Sequence, residues 1–392
     1  MWNEVNVCRV CGKKTDFFLS CGNIPFVTSN NEVIAQGKSF AGGSARLTLQ
    51  KCSNCCHIQL GEVVEPHLLY DSFSYQSDFT QGLLHHFEAI VAFIMKRLQK
   101  EKPIIMEVGS NSGAFLFCCQ KKGANAIGIE PSRTLANRAN TEGLPTIHGY
   151  FSSETSSQAI KTVGSADCLY IANTLANIDD LHDFFSTADG CLQREGILLV
   201  DTQDGEKVID NLLIDTIYHE HLNYFTEYSL SKIAKQYGFF LEQTIKHSSK
   251  GGAMLCVFSK LESRSTSVCA PSEFDERISN FRTGLDEMKT RVSEHLQKYS
   301  RSLAFGSSVG CSMLMSFLSL GDRVMAVLDD NPQIDVILTE HGPVSVVATA
   351  EVAKYNAESI ILLAHRYEQP IRQSLNKSGI SPATVIFNPW IR

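Results

Sequence analysis

Three stretches of the sequence hold residues whose types and spacing suit chemistry. The first is Tyr218-His219-Glu220-His221-Leu222-Asn223-Tyr224-Phe225, which crowds two histidines, a carboxylate and two tyrosines together. Histidine is suited to proton abstraction near neutral pH, and tyrosine hydroxyls can donate to a developing oxyanion. His221 is the candidate base, Glu220 its orienting or tuning carboxylate, and Tyr218 and Tyr75 the substrate contacts. If the run is extended, both histidines share one face and Glu220 points away. A metal site is a second reading, although adjacent ligands lack the i, i+4 spacing of a helical zinc pair. A packed polar loop is the third.

The second stretch is Glu107-Val108-Gly109-Ser110-Asn111-Ser112-Gly113, with an apolar run before it and another, ending in Glu130, after the next helix. A strand, a glycine turn, a helix and a strand with an acid at its tip bind an adenosine-containing cofactor at the carboxyl edge of a parallel sheet. Glu130 is placed to accept from ribose hydroxyls. A dinucleotide fingerprint would need a further glycine in G-x-G-x-x-G, so another nucleotide and a purely structural turn stay open. The third stretch pairs Cys8-x-x-Cys11 with Cys52-x-x-Cys55. Two such knuckles make a closed tetrahedral thiolate site for structural zinc. His57 is an alternative ligand, but an all-cysteine set is the stronger reading.

These groups need elements to hold them. Strands are expected at 104–108, 125–129, 144–147, 167–173 and 195–202 with helices between, which demands a parallel, doubly wound sheet. Asn173 then sits at the carboxyl end of the fourth strand, on the ligand side. A helix over 228–237 and strands at 239–247 and 252–259 complete the unit. A helix rises from about Leu83 to Leu98, and Tyr70, Phe73 and Tyr75 before it either line a pocket or pack on the sheet. Beyond it, 271–300 reads as a charged amphipathic connector. Strands at 301–305, 324–328, 344–347, 359–363 and 384–387 build a second α/β unit. Its turn, Gly306-Ser307-Ser308-Val309-Gly310, is either an anion site or a plain strand–helix turn.

Composition sets the outer limits. At 392 residues the chain should hold two or three domains, divided here as 1–66, 67–262 and 263–392. A net charge of −7 points to neither nucleic acid nor a membrane surface. No apolar run approaches a membrane span of about 20 residues, and the amino terminus lacks a signal peptide's apolar core. Thirteen cysteines without an export signal suggest a reducing cytoplasm. Cys118, Cys119, Cys168, Cys191, Cys256, Cys269 and Cys311 are expected to be small core residues.

Together the paired knuckles, EVGSNSGAFL, GIEPS, NTLANIDDL, IYHEHLNYF, KGGAMLCVF and the C-terminal G-x-x-x-G unit with DDNP resemble the S-adenosylmethionine (SAM)-dependent sugar C-methyltransferases of deoxysugar pathways. E-x-G-x-x-x-G is similar to motif I of class I SAM methyltransferases. The resemblance implies an α/β fold in three parts. A class I SAM methyltransferase Rossmann-like domain stands between an N-terminal zinc-binding domain and a C-terminal Rossmann-like domain that helps bind a nucleotide sugar. It implies SAM held by Glu107, Gly109, Asn111, Gly113, Glu130 and Asn173, and structural zinc on Cys8, Cys11, Cys52 and Cys55. It also implies a small-molecule 4-keto-6-deoxy sugar nucleotide as substrate, deprotonated α to its ketone by a base from the Tyr-His-Glu-His run. The chain is expected to act as a monomer or weak homo-oligomer. It departs from the family at Ser112 (aspartate there), Asn177 (histidine) and Gly310 (lysine), which opens the substrate to another keto sugar. Methylation of oxygen or nitrogen, and a non-catalytic SAM- or nucleotide-sugar-binding role, are the competing readings.

Overall fold

The alternation between residues 104 and 259 produces the expected sheet in the computed structural model, which describes residues 2–25, 43–66, 69 and 81–391. Its strands are β1 (Ile104–Val108), β2 (Asn125–Glu130), β3 (Thr146–His148), β4 (Ala166–Ala172), β5 (Leu192–Gln203), β6 (Phe240–His247) and β7 (Ala253–Ser259). Their order is β6-β7-β5-β4-β1-β2-β3. All neighbours run parallel except β7, which is antiparallel to both β5 and β6. The order reverses between β1 and β4, and the crevice beyond that switch point is where such sheets bind ligands.

Both faces of the sheet are covered, so its strands read as near-continuous apolar runs. Ile105, Cys168, Tyr170, Ile197 and Leu199 pack under helices Gln81–Leu98 and Ala114–Lys121. Met106, Val108, Leu169, Ile171, Leu198 and Val200 face helices Leu181–Cys191 and Glu227–Gln236. Each such aliphatic side chain contributes about 1.5–3 kcal/mol on burial. The fully buried Tyr170 ring adds a tilted contact with Phe115 at 4.3 Å and an edge contact with Phe87 at 6.5 Å.

The amino-terminal region is an antiparallel sheet of Asp16–Pro25, Ser44–Cys52 and His57–Leu60, and its fourth strand is Asn223–Tyr224. The carboxy-terminal region is a six-stranded sheet around Ser302–Phe305, with a strand at Val336–Thr339 that periodicity did not reveal. Helix Phe274–Lys298 does more than connect. Its stripe of Ile278, Phe281, Leu285, Met288 and Val292 shares one core with Leu47 and Leu49 of the amino-terminal sheet and Met313 and Leu314 of the carboxy-terminal unit. Cys269, expected in the core, is exposed because it lies in an irregular segment before that helix, whereas Cys118, Cys119, Cys168, Cys191, Cys256 and Cys311 are buried. Among the described residues no helix is long and apolar enough to cross a membrane.

Candidate active site

The turn after β1 is held open by glycine. Gly109 has φ +73°, and a Cβ there would lie 2.4 Å from Thr174 Oγ1, on the loop after β4. Gly113 has φ +87° and starts helix Ala114–Lys121, and a Cβ there would strike Leu144 at 2.6 Å. Only glycine suits this close, left-handed backbone. Asn111 is also left-handed at φ +50°, a conformation that asparagine tolerates better than most residues. Its amide donates to Glu130 Oε2 at 2.8 Å, and the Ser132 amide donates to Glu130 Oε1 at 2.8 Å. Burial raises the Glu130 pKa, and the two amides oppose that rise. Two bonds leave this carboxylate further lone pairs for a ligand's hydroxyls.

Glu107 lies deeper. It is 4% exposed, burial and then the Glu130 charge raise its pKa well above the usual carboxylate range, and its Oε2 has no hydrogen-bond partner among the described residues. Asn173 ends β4 at φ +51°, exposed at the crevice, with its amide donating to the Asp201 carbonyl at 2.8 Å. Glu107, Gly109, Asn111, Gly113, Glu130 and Asn173 therefore gather around one sheet edge. A backbone cradle that a Cβ would fill, an acid at the tip of β2 and an unsatisfied buried oxygen fit an adenosine-bearing ligand.

The second half of the site is the segment after β5. Tyr218 to His221 is a turn, closed by the His221 amide on the Tyr218 carbonyl at 2.9 Å, not an extended run. His221 Nδ1 lies 3.0 Å from the Thr216 carbonyl and Nε2 lies 3.0 Å from the Tyr218 hydroxyl. A carbonyl only accepts, so Nδ1 carries the proton and the Nε2 lone pair accepts from Tyr218. Thr216, not Glu220, orients the ring. The ring is neutral because burial, and after it the charge of Lys250, lower its pKa to about 3. A base tuned near neutrality was expected, and desolvation moves it further.

His219 points elsewhere, its Nε2 3.3 Å from the Arg46 carbonyl and its pKa lowered to about 4 by burial. Tyr75, like Tyr70 and Phe73, lies outside the described residues. Asp215, just before Thr216, is buried and gripped from the carboxy-terminal unit by Arg366, with 2.5 Å between Arg366 Nη2 and Asp215 Oδ2. A Cβ on Gly310 would lie 2.1 Å from the Asp215 carbonyl oxygen. That turn is closed further by Ser307, whose amide and hydroxyl both donate to Asp329 Oδ2 at 2.9 and 2.7 Å. These contacts are those of a plain strand–helix turn.

Glu220 is 8% exposed, and burial pushes its carboxyl up to about 7 from 4.5. Between those pH values the folded chain keeps a proton that the unfolded chain has lost, so this group's stabilising contribution falls as pH rises from 4.5 to 7. Glu220→Gln should abolish that slope. The stability difference between variant and wild type, measured by urea unfolding, is expected to change by on the order of 3 kcal/mol across the window.

The two halves meet at a small cleft, with a cavity of about 10 Å³, lined by Asn173, Gln203, His221, Asn223 and Lys250. Asn223 braces it. Its side-chain amide donates to the Ile178 carbonyl at 2.7 Å, and its Oδ1 accepts from His57 Nε2 at 3.1 Å. His57 is thus engaged in the sheet rather than with the cysteines. Cys8, Cys11, Cys52 and Cys55 bring their sulfurs within 4.8 Å of one another, with Cys8–Cys55 and Cys11–Cys52 each at 3.5 Å. Zinc–sulfur bonds of about 2.3 Å in a tetrahedron would set the sulfurs about 3.8 Å apart, so the set fits the metal. The Cys8 thiol is drawn down to about 6, chiefly by its hydrogen bond with Cys55, whose own thiol is pushed up by the same contact.

Sequence reasoning missed the groups that act through backbone or through a distant partner. The Thr216 carbonyl has no sequence signature. Asp201 accepts from His86 Nε2 at 2.8 Å, His247 Nε2 at 3.1 Å and the Tyr170 hydroxyl at 3.3 Å. Burial opposes its ionisation, but the two histidines outweigh it and lower its pKa. A signal existed only in the polar residues that interrupt otherwise apolar elements.

Comparison with known proteins agrees with this geometry. Residues 83–244 match the family described as "Methyltransferase domain". The C-methyltransferase NovU of Streptomyces niveus is 27% identical over 256 residues, which are 64% of this chain and 60% of that protein. The matched stretch is thus less than two thirds of that relative's length. Among solved structures, the PH0226 protein of Pyrococcus horikoshii aligns at 15% identity over 48% of this chain and 95% of its own, with a TM-score of 0.38. A SAM-dependent methyltransferase from Clostridium acetobutylicum aligns at 10% identity over 45% and 91%, with a TM-score of 0.37. The chain therefore carries a methyltransferase domain with the class I SAM-dependent, Rossmann-like α/β fold.

Proposed function

We propose that this chain is a SAM-dependent C-methyltransferase that deprotonates a 4-keto-deoxysugar nucleotide α to its ketone and methylates the resulting carbon. The observation that carries the reading is His221: a neutral imidazole, fixed in the Nδ1–H tautomer, lining the same cleft as Asn173 at the cofactor edge. The 27% identity to a C-methyltransferase supports carbon as the acceptor.

Glu130 receives ribose hydroxyls, while Gly109, Gly113 and the backbone at Asn111 let the chain approach the rest of the cofactor. Glu107 and Asn173 complete that half. SAM supplies an electrophilic methyl group. Substrate entering the cleft takes the place of the Tyr218 hydroxyl at His221 Nε2, and Nε2 then accepts the α-proton. The displaced hydroxyl is free to donate toward the substrate's oxygen. The low pKa of His221 keeps its lone pair available throughout the neutral range. Its imidazolium is stabilised only while an enolate charge faces it, which couples proton transfer to enolate formation.

Cys8, Cys11, Cys52 and Cys55 hold a structural zinc ion, since four protein thiolates leave no open position for chemistry. In this reading the chain divides at 67 and 263 and the carboxy-terminal unit helps bind the substrate; its Arg366 reaches the base's own segment. Incubation with methyl-labelled SAM and a panel of 4-keto-6-deoxyhexose nucleoside diphosphates tests the reading. Label in a new carbon-bound methyl supports it. Label on oxygen or nitrogen, or SAM binding with no transfer to any panel member, would overturn it.

A further inference from the structure

The loop between β6 and β7 places a lysine at the cleft with unusual care. Lys250, Gly251 and Gly252 have φ of +53°, +87° and +142° in succession. Left-handed backbone at a lysine costs energy that the surroundings must supply. They do so by pinning each carbonyl. Gln203 Nε2 reaches the Lys250 carbonyl at 3.4 Å, Asn211 Nδ2 donates to the Gly251 carbonyl at 3.2 Å, and the Asp204 amide donates to the Gly252 carbonyl at 3.1 Å. Neither glycine has room for a Cβ, which would strike Leu213 at 2.8 Å or Lys207 at 2.7 Å.

The lysine held this way lines the cleft with His221, Asn173 and Gln203. Its ammonium makes no ion pair or hydrogen bond among the described residues, although Lys246 four positions earlier is paired with Asp204 at 2.7 Å. The nearby carboxylate of Asp201 attracts Lys250 but is saturated by His86, His247 and Tyr170. Gln203 Oε1, on the same cleft wall, is buried and has no partner among the described residues. Lys250 is exposed at the mouth of the cleft on a backbone held in place, and an uncommitted cation beside a neutral base suits a site where negative charge forms during reaction.

We propose that Lys250 is a catalytic residue that receives the charge developing on the substrate's carbonyl oxygen as His221 removes the α-proton; the assignment rests on the reaction proposed above. The C–H electron pair becomes the enolate's C=C bond, the carbonyl π pair moves to oxygen, and the proton resides on His221 Nε2. Lys250 stays protonated throughout and donates a hydrogen bond to that oxygen. Return of a solvent-exchanged proton from Nε2 to carbon restores the ketone.

Deuterium incorporation at the α-carbon in D2O, without SAM, tests this with the 4-keto-6-deoxyhexose panel. Lys250→Met should lower the exchange rate at saturating substrate by about 10²–10³-fold, with substrate Kd and SAM Kd within about threefold of wild type. Lys250→Arg, which keeps the charge, should recover part of the loss. Unchanged exchange in Lys250→Met overturns the proposal. So does a large rise in Kd at an unchanged saturated rate, which would make Lys250 a diphosphate anchor. Unchanged SAM affinity and circular dichroism separate either outcome from misfolding. Wild-type protein that exchanges no panel member overturns the proposed reaction, and this assignment with it.

Discussion

His221→Ala is expected to lower kcat/KM for methyl transfer by about 10²–10⁴-fold, the usual contribution of a positioned general base. SAM affinity should be unchanged, because the cofactor groups at Gly109, Asn111 and Glu130 lie on other loops of the sheet. The prediction depends on geometry more than on residue type. The Thr216 carbonyl at 3.0 Å fixes the Nδ1–H tautomer, and that leaves Nε2 as the acceptor in the cleft. Tyr218→Phe should cost less, since it removes a donor and leaves the lone pair. The pH profile gives an independent check. With the His221 pKa lowered to about 3, its protonation cannot produce an acid limb near 6.5, the ordinary histidine value. An acid limb centred near 6.5 that disappears in His221→Gln would contradict the assignment. His221→Ala with undiminished turnover would remove the base altogether.

Loss of the metal is expected to have the largest effect on stability. Four-cysteine zinc sites in small domains carry about 10–16 kcal/mol of apparent binding free energy, which is folding free energy where the apo form is unfolded. Here the second knuckle starts at the end of strand Ser44–Cys52, and Cys52 pairs in register with His57. The strand that begins at His57 pairs Ile58 with Tyr224 and Gln59 with Asn223. The candidate catalytic turn therefore runs directly into the edge strand of the sheet that carries the second cysteine knuckle. Cys8, Cys52 and Cys55 also pack in one cluster with Phe225, Leu230 and Ile233, just beyond the turn. Metal analysis should find one zinc per chain. Cys55→Ala, or a strong chelator at mild temperature, should lower the melting temperature by about 10 °C or more and abolish methyl transfer. A fully folded, active chain without metal would refute the structural-zinc reading.

Much of the architecture was legible because burial on both faces leaves a plain record. β1 and β4 are almost wholly apolar, and the glycines after β1 mark a place where the backbone turns left-handed. The cysteine knuckles were legible because thiolate chemistry fixes their spacing. The fine structure of the active site was less so. The sequence left open whether the His-Glu-His run is extended; it turns at Tyr218–His221, and Asp215 just before it is held by Arg366 from a unit about 150 residues away along the chain. No local pattern records that contact. The tuning of His221 by Thr216 and Lys250, and the saturation of Asp201 by His86 and His247, likewise depend on tertiary neighbours. Cys269 was misplaced because its sequence neighbours gave no periodicity that would separate core from surface.

The account stands on carbon acidity: the cleft must loosen a C–H bond before any methyl moves. Nuclear magnetic resonance of a 4-keto-6-deoxyhexose nucleotide incubated with wild-type protein in D2O, without SAM, measures this directly. The expected result is deuterium at the carbon next to the ketone, absent with His221→Ala. Methyl transfer to the same compound with that carbon's hydrogen fully retained would contradict the account.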